Sequence, residues 1–203
     1  MALSSADRKR MRVVVFLGST REGRMCTRVA KFVTEQFEKR NYAVELFDPV
    51  VLKFPVLEKP MHFYEDSTKI PQWMQECATK IKESDAIVLL SSEYNSVIPP
   101  ALTNMLCHFS PSLFTCKPCG IVTYSLGVFG GMRVTMQLRA LLGDLGSLSI
   151  GNTFCIPEVN KALDENGIPL NDNVVRSAEK MISQLDWVTQ ALKSHKGNFG
   201  LPY

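Results

Sequence analysis

Seven residues near the amino terminus, Gly18-Ser19-Thr20-Arg21-Glu22-Gly23-Arg24, carry two hydroxyls, two guanidinium groups and a pair of glycines. Such a loop suits an anion when a strand precedes it and a helix follows, because backbone N–H groups and the helix dipole then converge on one point. Arginine adds charge-assisted hydrogen bonds, which are about twice as strong as neutral ones. Two well-defined phosphate loops do not fit. The triphosphate loop G-x-x-x-x-G-K-[ST] meets Arg24 where it needs lysine and Met25 where it needs a magnesium-binding hydroxyl. The dinucleotide fingerprint G-x-G-x-x-G lacks its second glycine, since Ser19-Thr20 stand there. What remains is a cup for a terminal monophosphate, with a solvated turn carrying surface arginines as the plain alternative.

Two later segments could meet the same ligand. Ser91-Ser92-Glu93-Tyr94-Asn95 offers an aromatic ring and an amide, able to pack along a flat heterocycle and to satisfy its ring oxygens and nitrogens. Taken alone, Tyr94 reads equally as loop covering and Asn95 as a turn former. Ser125-Leu126-Gly127-Val128-Phe129-Gly130-Gly131 carries three glycines in five residues, which let backbone approach a ligand or simply permit a tight turn. Other reactive residue types read as structural. Cys116-Lys117-Pro118-Cys119 has redox spacing but runs into a strand instead of opening a helix. Zinc would have only Cys107 and His108 nearby. His62, His108 and His195 have no visible serine or carboxylate arrangement, and Asp164-Glu165 reads as a solvated turn.

The elements that must position these loops follow from periodicity. Val13 to Leu17, Ala86 to Leu90 and Gly120 to Tyr124 are short apolar runs, the pattern of strands buried on both faces. Each is followed by turn residues and then by helical periodicity, which predicts parallel strands joined by crossover helices. Met25, Val29, Phe32, Val33 and Phe37 stripe a helix over about residues 25–39, and Tyr42 to Phe47 reads as a strand stopped by Asp48-Pro49. Ile70, Trp73, Met74, Cys77 and Ile81 stripe a second helix, and Leu102, Met105, Leu106 and Phe109 a third opened by Pro99 and Pro100. The fourth carries Val134, Leu138, Leu141 and Leu142 and stops at Gly143. A fifth strand is predicted over Leu148 to Ile156 and a last helix from about Asn173 to Lys193. Residues 48–69 and 157–172 remain as long loops, a length usually reserved for function or a partner subunit. In an open parallel sheet the loops after the first, third and fourth strands share one crevice at the carboxyl ends.

Composition bounds the class. The 203 residues are 45% hydrophobic and 21% charged, with a formal net charge of +3. This excludes a disordered, collagen-like or disulfide-built chain, and falls short of the basic excess of a dedicated nucleic-acid binder. One domain over residues 1–203 is expected, with tails at 1–11 and 195–203. The six cysteines read as reduced thiols. Val13 to Leu17 is too short for a secretory signal, and no apolar run reaches membrane-spanning length. The expected location is the cytoplasm, with neither a membrane nor nucleic acid as partner.

Taken together, Gly18-Ser19-Thr20-Arg21 with Gly23-Arg24, Glu93-Tyr94-Asn95 followed by Ile98-Pro99 and by Leu102 with Asn104, and Ser125, Gly127, Gly130 and Gly131 resemble the NADPH-dependent FMN reductase family, over roughly residues 12–190. The resemblance implies a flavodoxin-like α/β three-layer sandwich, a five-stranded parallel sheet of order 2-1-3-4-5 with helices on both faces. It implies that Ser19, Thr20, Arg21 and Arg24 hold the phosphate of FMN. It further implies that Ser92, Glu93, Tyr94 and Asn95 line the isoalloxazine, while Ser125, Gly127 and Gly130 flank its other side. NADPH or NADH would deliver hydride in a ping-pong cycle, with a quinone, azo compound or second flavin as acceptor and no amino-acid nucleophile. A homodimer or homotetramer is expected. The chain departs from the family pattern at Ser92, where proline is usual, and at Thr103, Cys107 and His108, where lysine, aspartate and tryptophan are usual. Two rival readings are a flavodoxin-like electron carrier and a non-enzymatic FMN-binding or interaction module.

Overall fold

The computed structural model describes residues 10–202. Strands β1 (Met11–Leu17), β2 (Tyr42–Phe47), β3 (Ala86–Ser92) and β4 (Pro118–Tyr124) form a parallel sheet with two short strands, β5 (Leu148–Ser149) and β6 (Phe154–Ile156). The order is β2-β1-β3-β4-β5, with β6 also paired to β4, and the five-stranded path is the one the family resemblance implies. Register is in step across the centre: Val13 lies beside Ala86 and Leu17 beside Leu90, while Ile87 lies beside Cys119 and Ser92 beside Tyr124.

Strict alternation along the buried strands divides the core into two layers. Val13, Val15 and Leu17 pack with Ala86, Val88 and Leu90 under α1 (Cys26–Glu38) and α7 (Asp172–Phe199). Val14, Phe16, Ile87 and Leu89 pack on the other face. There they meet α3 (Gln72–Glu83), α4 (Pro100–Cys107) and α5 (Arg133–Asp144). The apolar stripes read from the sequence are the buried faces: Val29, Phe32, Val33 and Phe37 on α1, and Met74, Cys77 and Ile81 on α3.

Two elements differ from the sequence expectation. The fifth strand is broken: Leu148 and Ser149 pair with Pro118 and Cys119, but Phe154 pairs with Val122, so two extra residues bulge out between. The bulge is held by Arg139, which donates to the carbonyl oxygens of Ile150 (2.9 Å) and Gly151 (2.8 Å), and by Gln184, which accepts from the Asn152 N–H (2.7 Å). The last helix, capped by the Asn171 side chain, runs past Lys193 to Phe199, into the stretch expected as a tail. His195 stacks on Phe199 one turn later, and Gly200 ends the helix at φ +76°. Residues 1–9 of the other expected tail lie outside the described residues.

The two stretches read as long loops hold short helices. Residues 48–69 contain α2 (Pro49–Leu52) and two 3₁₀ turns, Met61–Phe63 and Ser67–Lys69. Phe54 packs edge-on against Trp73 and Phe109, and Asn104 clamps the segment by accepting from the Leu57 N–H and donating to the Pro55 carbonyl. Residues 157–172 contain α6 (Val159–Ala162) and a turn whose backbone N–H groups at Asn166 and Ile168 donate to the Asp164 carboxylate. Asp164 therefore organises the turn rather than merely facing water.

Helix α7 lies so close to β4 that a Cβ on Gly120 would stand 3.0 Å from the Met181 sulfur and 3.1 Å from a Leu185 methyl. Gly120→Val should therefore lever α7 off the sheet and cost about 1–3 kcal/mol, read as a lowered urea midpoint.

Candidate functional site

The apolar strands turn polar where they end. β1 gives way to Gly18 and Ser19, β3 closes on Ser91 and Ser92, and β4 closes on Tyr124. The loops that follow surround a cavity of about 340 Å³ at the carboxyl rim of the sheet. Among the residues expected at a ligand site, Ser19, Arg21, Arg24, Ser92, Glu93, Tyr94 and Ser125 line it, together with Glu22, Gly23, Met25, Tyr124 and Leu126.

The loop after β1 leads into α1 with no side-chain cap and no acidic residue in the first turn, so the positive end of the helix dipole is uncompensated there. Arg21 lies over the Tyr94 ring, its guanidinium carbon 3.7 Å from the ring centroid, and makes no ion pair among the described residues. The Tyr94 hydroxyl and the buried Ser19 hydroxyl are 2.6 Å apart. Arg24 has another task. It forms a two-pronged pair with Asp48 at 2.7 and 2.5 Å and donates to the Ser19 carbonyl at 2.7 Å. It thus fastens the loop to α2 while still lining the cavity. Burial works to raise the Asp48 carboxyl, but the hydrogen bonds from Arg24 and Val50 outweigh it and hold the group below its ordinary value.

Three buried polar atoms at the cavity have no hydrogen-bond partner among the described residues: Ser92 Oγ, Glu93 Oε2 and Tyr124 Oη. Native proteins leave few such atoms without a reason. Glu93 is oriented by its other oxygen, which accepts from Arg133 at 2.8 Å. Burial and then the Cys26 thiol push the Tyr124 phenol upward, against an opposing pull from the neighbouring Ser92 hydroxyl, so it keeps its proton. Together the three present a hydroxyl donor, a carboxylate acceptor and a second hydroxyl, the set a heterocycle with both carbonyl and N–H groups would satisfy. With the unpaired Arg21 beside them, they fit a phosphorylated flat ligand.

The remaining expected residues do not face this cavity. Thr20 is exposed outside it. Asn95 and Ser96 take φ of +50° and +68° in a two-residue turn whose flanking Tyr94 and Val97 exchange backbone hydrogen bonds at 3.1 Å, so Asn95 is a turn former. Gly130, at φ +60°, is buried where a Cβ would come within 2.9 Å of the Pro157 nitrogen, and its role is packing. Gly127 is exposed beyond the cavity, though its carbonyl accepts from Ser125 and Glu158. Sequence reasoning missed Tyr124, read only as the end of a strand, and Asp48, read only as a strand stop. The apolar-to-tyrosine change at the close of β4 was the available signal for the first.

The other reactive candidates lie elsewhere. Cys119 is fully buried on β4 and burial pushes its thiol far up, so it is no partner for Cys116. All six cysteines are free thiols. His108 packs against Phe54 and bonds the Pro55 carbonyl oxygen at 3.0 Å.

A rim site of this kind on a sheet of this order defines a flavodoxin-type fold. Residues 11–161 match the profile of the NADPH-dependent FMN reductases, and the chain belongs to that family. It is 27% identical to an NADPH azoreductase of Bacillus sp. (strain OY1-2), over 85% of this chain and 93% of that protein. It is 24% identical to an FMN-dependent NADPH-azoreductase of Staphylococcus aureus (strain USA300), over 80% of this chain and 86% of that one. Among solved structures it is similar in fold to the flavoenzyme NAD(P)H:(acceptor) oxidoreductase FerB of Paracoccus denitrificans. There the TM-score is 0.74 and the identity 18%, covering 89% of this chain and 98% of that one.

The Asp48 pair gives a test with a defined sign. Because the folded-state carboxyl is held below its ordinary value of 3.8, the stabilisation is present above that pH and is lost as pH falls through the folded value. Asp48→Asn should cost about 1–3 kcal/mol at pH 7 and flatten the loss of stability below pH 4, as followed by thermal melts across pH.

Proposed function

We propose that this chain is an FMN-dependent NAD(P)H oxidoreductase that passes two electrons to a quinone, an azo compound or free flavin. The observation that carries the reading is the trio of unpartnered polar atoms on Ser92, Glu93 and Tyr124 beside an unpaired Arg21. Support comes also from the family and from relatives named as NADPH azoreductases.

Arg21, the Ser19 hydroxyl and the loop N–H groups leading into α1 would hold the FMN phosphate, which then replaces the Tyr94 hydroxyl at Ser19. Glu93 Oε2 would accept from a ring N–H, and Tyr124 and Ser92 would donate to ring oxygens; Tyr124 keeps its proton because burial pushes its phenol up. When bound, FMN supplies the two-electron redox chemistry, so no side chain of the site serves as nucleophile. NADPH and the acceptor would use the bound flavin in turn, in a ping-pong order.

Leu126, Val128, Phe129, Met132 and Met136 are all more than half exposed beside the cavity, and we assign this apolar surface to a second copy of the chain. The free thiols fit a reducing compartment, and no described helix is long and apolar enough to cross a membrane. We assign the cytoplasm.

The test is the visible spectrum of protein loaded with FMN, before and after anaerobic NADPH. A yellow protein bleached by NADPH is expected. A protein that stays yellow would be an electron carrier, and one that never takes up FMN an interaction module; either result overturns the reading. Arg21→Ala should weaken FMN binding about 10- to 100-fold, the value of a charge-assisted hydrogen bond to phosphate, measured by quenching of flavin fluorescence.

A further inference from the structure

The opposite rim, at the amino ends of β3 and β4, holds a second cavity of about 340 Å³ between the strand ends and the last turns of α7. Its most buried charged wall residue is Lys117, only 9% exposed. A lysine is almost never so buried without a carboxylate partner, yet none pairs with Lys117 among the described residues. Its Nζ donates to the carbonyl oxygens of Ser84 at 2.6 Å and Lys82 at 3.1 Å, at the carboxyl end of α3. An ammonium has three N–H groups, so one is left without an acceptor among the described residues. The nearest acid, Asp85, is already engaged by Lys193 at 2.9 Å and by the Arg12 N–H at 2.9 Å.

Lys196, on the same cavity wall, adds a further positive charge. Burial, and then Lys196, push the Lys117 ammonium down to about 8, so an excess of positive charge is held here at a cost. Capping α3 accounts for two of the Lys117 protons. It accounts neither for the third nor for the apolar walls, where Phe199 and Leu201 stay 75% and 40% exposed beside Leu192 and Pro118.

We propose that this cavity binds a small organic carboxylate, its anionic head facing Lys117 and Lys196 and its apolar body lying against Leu192 and Phe199. An anion there supplies the missing acceptor for the third N–H and relieves the repulsion between the two ammonium groups. The apolar body covers the two exposed side chains. This site stands apart from the flavin reading and does not depend on it.

The test uses the full chain with FMN in excess, so that the other rim is filled, titrated calorimetrically with 2-naphthoate and separately with the uncharged 2-naphthamide. The acid should bind at least about tenfold tighter than the amide, the ratio expected for one charge-assisted contact. Lys117→Met should weaken naphthoate about tenfold and Lys196→Gln, more exposed, about threefold, while Lys161→Gln, on α6 away from this cavity, leaves it unchanged. Should Lys117→Met fail to fold, Leu192→Trp fills the cavity with both lysines intact and should abolish binding. Absence of naphthoate binding, equal affinity for acid and amide, or loss of binding in Lys161→Gln would each overturn the proposal.

Discussion

A parallel sheet covered by helices on both faces has no open face to give a ligand; it has only its rims. That constraint decides where chemistry can be placed in this molecule. Through the core, β1, β3 and β4 must be apolar, since an unsatisfied polar group there costs about 1–3 kcal/mol. Polar side chains enter where the strands leave the core: Ser19 after β1, Ser91 and Ser92 at the end of β3, Tyr124 at the end of β4. At the carboxyl rim this boundary gathers three loops around one cavity.

Loops alone would not hold such a site still. Arg24 ties the first loop to Asp48, which in turn caps α2 through the Val50 N–H at 2.9 Å. The second loop is tied to α5 three times: Arg133 holds Glu93, and Gln137 donates to the Ser96 carbonyl and accepts from the Ile98 N–H. The third is fixed by Thr123, which donates to the Gly130 carbonyl, and by the buried turn at Gly130 and Gly131. Each tie uses a polar group that could otherwise have served a ligand. What is left unpaired at the rim, Arg21 with Ser92, Glu93 and Tyr124, is therefore the informative set.

Those assignments mark the division between what a sequence makes legible and what it does not. Burial patterns are local, so the runs at Val13, Ala86 and Gly120 and the stripes of α1 and α3 could be read directly, and strand order followed from the family resemblance. Partner choice is not local. Arg24 reads as a phosphate ligand until Asp48, 24 residues away, is brought against it. The break between β5 and β6 depends on Arg139 and Gln184, which reach it from two different helices. The extent of α7 turned on Gly200, a stop signal lying beyond the last apolar stripe residue. Asn95 was ambiguous between ring contact and turn, and the positive φ of Asn95 and Ser96 places it in the turn.

The central claim is that the carboxyl rim holds FMN through Arg21 at its phosphate and through Glu93, Ser92 and Tyr124 at its ring. A crystal structure of the chain grown with excess FMN tests it most directly. The account requires the phosphate at the start of α1 within hydrogen-bond distance of Arg21, with the three orphaned atoms paired to the ring. A flavin bound elsewhere, or a rim cavity that stays empty with those atoms still unpaired, would contradict it.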